Sequence, residues 1–281
     1  MKIEIRCPRC EKIGAIEISE DKIKDVSRGL LAINVSEKIV CEHSFVAYVD
    51  RNLEIRDCFM ADFQIELPAL ESAATAKAET DYDTKDFDLI LIKLNFPASS
   101  IAYLLRAIIS NKKFAIINDQ KFLESHLENF VEYISEGSFD PHIEVIPREI
   151  YINDKKKYSS YVVLEENKLV QNEDHIFNTN EINVERTIVQ KFLAEINEKS
   201  SIIILRNELE KAFTLAQSII ELIRDFKGKE LQSKKIIDYL EEKHNIDIKI
   251  PYLNFLINIV QEYFGVNVPK SSEVSNFLGF L

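Results

Sequence analysis

Two short pairs of metal-ligand residues near the start of the chain, Cys7-Pro8-Arg9-Cys10 and Cys41-Glu42-His43, constrain the fold more than any other feature. A C-x2-C pair turns the backbone tightly enough to aim both sulfurs at one ion, and the second pair sits at the mouth of an expected β-hairpin. Three thiolates and an imidazole complete a tetrahedral set that suits zinc, with no position left for water, so the site they imply is structural. Four cysteines in 281 residues are too few for a disulfide scaffold, and their clustering points to metal instead. A redox reading of CPRC needs the motif to open a helix in a βαβ unit. Here it interrupts alternating β sequence, between Ile3-Glu4-Ile5-Arg6 and Gly14-Ala15-Ile16-Glu17-Ile18.

The Cys-x-His spacing departs from the usual C-x2-C or C-x2-H, which opens a second candidate for the fourth ligand. If Asp50-Arg51-Asn52 forms a three-residue turn, Val49 pairs with Leu53 and Ser44 falls opposite Cys58. Cys58 then lies one position from His43, as its substitute or as a bystander. The expected ligands are Cys7, Cys10, Cys41 and His43, with Cys58 as the alternative to His43. In a β module of this size, zinc binding supplies folding free energy on the order of 10 kcal/mol or more.

CPRC followed by KIVCEHSFVAYVDRN and a strand resembles uncharacterised archaeal proteins with an N-terminal zinc-ribbon-like module. The likeness covers about residues 1–67. It implies the ligand set Cys7, Cys10, Cys41 and His43 and brings no activity with it.

The rest of the chain divides by pattern. Residues 2–67 read as β structure, with the clearest alternation at Leu53, Ile55, Phe59, Ala61, Phe63, Ile65 and Leu67; Asp57 is the one polar exception on that face. Residues 71–86 are rich in Ala, Thr and acids without a useful period, which predicts an acidic linker. Next, Phe87–Leu94 reads as a buried strand, followed by a helix opened by Pro97, a strand at Phe114–Ile117, a helix capped by Asp119 and closed by Gly137, and a strand at His142–Ile146. Residues 149–170 read as a hairpin turning at Asn153–Lys157. From about 186 onward the chain is mainly helical, at 186–197, 205–226, 233–244 and 252–264, with a brief strand at Ile246–Ile250. The fold expected is a multidomain α+β protein: a zinc-ribbon-like antiparallel β module (1–70), the acidic linker (71–86), an α/β unit of β-α-β-α-β plus hairpin (87–185), and a helical region (186–281) that could be winged-helix-like and packed on the α/β domain.

Functional classes narrow by exclusion. The formal charge of −12 opposes broad binding to a polyphosphate, and the candidate recognition helix Pro251–Phe264 contains no Lys or Arg. The turns Asn95–Ser100 and Asn118-Asp119-Gln120 lack glycine, so neither a P-loop nor a dinucleotide fingerprint is present, and serines 99 and 100 read as capping residues. No H-E-x-x-H or G-x-S-x-G occurs, and no catalytic residue is assigned. No secretory signal and no membrane-length apolar run is read, which points to the cytoplasm. The apolar tail Asn276–Leu281 is expected to dock on the protein's own core. The leading expectation is a non-enzymatic protein–protein interaction adaptor or complex subunit with structural zinc. A transcription or RNA-processing factor acting through Arg6, Arg9, Arg51 and Arg56 is the alternative. A small-GTPase regulator follows from fold-level analogy alone.

Overall fold

The computed structural model describes residues 1–18, 30–50, 52–60, 67–68, 87–172, 177, 181–195, 197–228 and 230–269; the expected linker and the C-terminal tail lie outside the described residues. Strands β1 (Lys2–Arg6) and β2 (Ile13–Glu17) form an antiparallel hairpin in which Arg6 faces Ile13. Their alternation turns Ile3, Ile5 and Ile16 inward and leaves Lys2, Glu4 and Arg6 to solvent. Strands β3 (Leu30–Val35), β4 (Phe45–Asp50) and β5 (Ile55–Met60) form an antiparallel sheet with β4 in the centre. Every residue of β4 is buried, because both faces of the strand are covered. Phe45, Ala47 and Val49 pack with β1 and β2, while Val46 and Tyr48 join a much larger core on the other side.

The β4–β5 turn departs from the expected register. Asp50 N–H donates to Glu54 O at 3.0 Å, Leu53 N–H donates to Asp50 O at 3.0 Å, and Leu53 takes a left-handed φ of 67°. The ladder then shifts by one residue, with Val49 opposite Ile55 and Tyr48 opposite Asp57, a bulge that leaves Arg56 over. Cys58 therefore faces Ala47 rather than Ser44.

Phe87–Leu94 is not a strand. Asp88 Oδ1 accepts from Ile90 N–H at 2.8 Å and Leu91 N–H at 3.1 Å, capping helix α1 (Leu89–Asn95). After Pro97, helix α2 (Ala98–Ile109) runs at 109° to α1 with nearly every residue buried. A four-stranded sheet follows, ordered β7-β6-β8-β9 and built from β6 (Phe114–Ile117), β7 (Ile143–Ile146), β8 (Val162–Glu165) and β9 (Lys168–Gln171). Strand β6 runs parallel to β7 and β8, and β9 closes the sheet antiparallel to β8. The order β-α-β-α-β plus hairpin is thus what the chain builds, but from other residues: helices α3 (Lys121–Ser135) and α4 (Arg148–Asn153) connect the parallel strands, and the hairpin turns after Glu165. Residues 149–153 are helical because Pro147 leads directly into a helix start. Gln120, not Asp119, stands at the cap of α3; Asp119 Oδ1 instead accepts from Arg148 N–H at 2.9 Å. Gly137 closes α3 with a φ of 77°.

Helices α5 (Asn183–Ala194), α6 (Glu198–Asp225), α7 (Ser233–His244) and α8 (Ile250–Glu262) complete the molecule. The expected strand at Ile246–Ile250 is a loop whose Ile248 N–H donates to Glu241 Oε1 at 3.1 Å rather than to a ladder, with Ile246 and Ile248 inserted in the core. These helices share one continuous apolar core with α1–α3 and the four-stranded sheet. Its buried charges are paired or capped. Arg106 meets Glu185 at 2.7 Å, and Lys93 donates to Phe192 O at 3.2 Å and Glu195 O at 3.0 Å, capping the C-terminus of α5. Lys211 on α6 pairs with Glu208 and donates to Pro68 O at 2.7 Å, fixing that residue on the large core. No single helix among the described residues is long and apolar enough to cross a membrane.

Candidate metal centre

Two turns carry the four ligand residues. In the first, at the end of β1, Cys7 N–H donates to Lys12 O at 2.9 Å and Glu11 N–H to Cys7 O at 3.0 Å, with Glu11 in the left-handed region at φ 60°. Arg9 N–H also points at Cys7 Sγ, 3.4 Å away. This is a backbone knuckle that presents sulfur lone pairs to one point. In the second, Ile39 N–H donates to Ser36 O at 3.3 Å and Lys38, at φ 71°, donates its N–H to Cys41 O at 2.6 Å, which leads Cys41 and His43 into the start of β4. Gly14 on β2 lets the two turns close up: a Cβ there would meet Val40 Cγ2 at 3.0 Å.

The sulfurs of Cys7, Cys10 and Cys41 and a ring nitrogen of His43 all lie within 4.8 Å of one another. His43 Nδ1 stands 3.5 Å from Cys41 Sγ and 3.8 Å from Cys7 Sγ. Tetrahedral zinc with ordinary Zn–S and Zn–N bonds requires S···N separations of about 3.6 Å, so the donor set fits. Cys7 and Cys41 are buried, His43 is half-buried and Cys10 is exposed; all four cysteines of the chain are free thiols. Without a cation the protons are shared unevenly. The backbone of Lys12, aided by His43 and the other thiols, draws Cys10 down to about 6, whereas burial pushes Cys41 up to about 11. A divalent ion removes this conflict by displacing the protons.

Cys58 is not part of the converging group. The register that sets it opposite Ala47 takes it away from His43, and burial, with the charges of Asp57 and Cys7, pushes its thiol up to about 12. Of the five ligand candidates, the four first named converge on one point.

Sequence reasoning missed a second role for β5. The Asp57 carboxylate accepts from Cys58 N–H at 2.8 Å and from Ser99 N–H at 3.3 Å, so it caps α2 from the neighbouring module where Pro97 offers no side-chain cap. Burial raises its carboxyl above the ordinary value. The signal was present in the sequence, since Asp57 is the one polar residue on the apolar face of its strand. Arg56, one of the arginines of the nucleic-acid alternative, is engaged by Asp50 through Nε at 2.8 Å and by Glu54 at 3.0 Å. No family model matches the chain, and no curated protein is significantly similar to it. The zinc-ribbon-like cluster of Cys7, Cys10, Cys41 and His43 is present, and neither comparison ties it to an archaeal family.

Proposed function

We propose that this chain is a non-enzymatic protein–protein interaction adaptor or complex subunit whose N-terminal β module is braced by a structural zinc ion on Cys7, Cys10, Cys41 and His43. The observation that carries the metal assignment is the convergence of four S and N donors within 4.8 Å. A complete donor set leaves the ion no coordination position for water or substrate, which supports a structural rather than a catalytic role. Free thiols at this site fit a reducing compartment such as the cytoplasm. Beside the knuckles, Ile13 and Ile39 stand 55% and 53% exposed, apolar surface of the sort that a partner protein covers. The alternative, a nucleic-acid factor, loses support from the engaged Arg56 and from a helix α8 without Lys or Arg.

Two measurements test the two halves of the reading. Elemental analysis of the purified chain should give one zinc per molecule, lost in Cys7→Ser. Tagged protein recovered from native lysate should retain a defined protein partner after nuclease and high salt. Loss of all associated material on nuclease treatment would overturn the adaptor reading in favour of nucleic acid.

A further inference from the structure

We infer that the crevice between the C-terminal ends of β6 and β8 is a binding site for a small ring-bearing amine, independent of the metal centre. The argument begins with topology. Strands β6 and β8 are parallel neighbours, with Ile117 opposite Glu165, yet β6 connects through α3 to β7 on its other side. The chain leaving β6 therefore turns away from β8. In open parallel sheets such a divergence leaves a crevice at the carboxyl ends of the strands, where ligands bind. Here it is a cleft of about 590 Å³, within the range of about 300–1,000 Å³ usual for small-molecule sites.

Its floor is apolar, made by Phe96, Ile116, Ile117 and Leu123, all buried. Its walls are pinned from within the protein. Ser100 Oγ donates to Glu166 O at 2.7 Å, Asn118 N–H to Ile146 O at 2.9 Å, and Arg148 N–H to Asp119 Oδ1 at 2.9 Å. A preformed cleft of this kind loses little freedom on binding.

The rim sets the ligand's chemistry. Its one cationic side chain, Arg148, is paired with Glu165 at 2.6 Å, which offsets its charge. The anionic acceptors of the lining are the second oxygen of Asp119 and the carboxylate of Glu166, beside the amides of Asn118 and Gln120. Three carboxylates against one guanidinium repel phosphate and carboxylate ligands and attract an ammonium group. A ring fills the floor while its amine donates to Asp119 and Glu166, a charge-assisted contact stronger than a neutral one.

Three probes sharing one indole ring test this: tryptamine, its hydroxyl analogue tryptophol, and indole-3-acetate. Binding is read from the methyl resonances of Ile116, Ile117 and Leu123 in the full chain. Tryptamine should shift these methyls saturably, tryptophol should bind about tenfold more weakly or worse, as expected for loss of a charged hydrogen bond, and indole-3-acetate should not bind. The exposed-rim variants Asp119→Asn and Glu166→Gln should each weaken tryptamine severalfold with the remaining methyl spectrum unchanged. The inference is overturned if tryptamine gives no saturable shift, if the three probes bind alike, or if both variants bind tryptamine as the wild type does.

Discussion

The small core around Ile5, Cys7 and Phe45 and the large core around Leu104, Phe192 and Leu209 meet on opposite faces of the same sheet, yet they are assembled from different materials. Among the described residues the small core has ten buried members, two of which are the metal-ligand candidates Cys7 and Cys41. The large one draws, among the described residues, on six helices of twelve or more residues, the short α1 and a four-stranded sheet. Apolar burial contributes about 25 cal/mol per Å², so the large core can stand on area alone, whereas a cluster as small as the first needs a cross-link. Strand β4 belongs to both. On the proposed metal site, the boundary between a metal-dependent and a metal-independent region runs through the plane of one strand rather than between two segments of sequence.

Breaking the metal set should have the largest effect. Cys7→Ser, or removal of zinc by a chelator, forfeits on the order of 10 kcal/mol of local folding free energy. Hydrogen exchange should show β1 and β2 losing their protection outright. Backbone amides of β4 should keep part of theirs, because Val46 and Tyr48 remain seated in the large core. Full protection of β1 in the variant would count against the metal's structural role. In the opposite direction, Phe192→Ala in the large core should cost about 3–5 kcal/mol in denaturant unfolding and leave the zinc stoichiometry intact.

The junction between the cores comes next. Asp57→Ala removes the cap of α2 and should cost about 1–2 kcal/mol. If the cap matters, protection falls first at Ser99 to Ala102. Lys93 supplies a pH test of the large core alone. Burial draws its ammonium down to about 8, against about 10.4 for an unfolded lysine, so between these values the unfolded chain holds a proton that the native one has released. Stability contributed at this residue should therefore rise with pH across that window, and Lys93→Met should remove that part of the slope. The smallest effect is expected for Cys58→Ser, which should bind zinc with unchanged stoichiometry.

The ligand residues were legible because their chemistry is carried by residue type and spacing, which folding does not rearrange. The amphipathic helices were legible from their period, although α6 starts seven residues before the expected 205. The continuous run Phe45–Val49 also carried the news that β4 is covered on both sides, since a half-buried strand would alternate. Other features lay beyond periodicity. Phe87–Leu94 is apolar all round, and a buried helix and a buried strand share that pattern; only Asp88, placed to cap, tells them apart. The position of Cys58 turned on a bulge at Arg56 and a left-handed Leu53, neither of which is marked by glycine. Asp119 has the composition of a helix cap but is claimed by Arg148, a tertiary contact that local sequence does not encode.

The clasp of Lys211 on the carbonyl of Pro68 has a mechanical consequence. Pro68 and the buried Phe87 bracket residues 69–86, and both are moored to the same body. The two halves of the polypeptide are thus riveted together whether or not the thread between them is whole. A protease that cuts between residues 69 and 86 should yield two bands under denaturing conditions and a single particle in native solution. On this account the chain between Pro68 and Phe87 should tolerate changes of length or sequence without loosening what it joins.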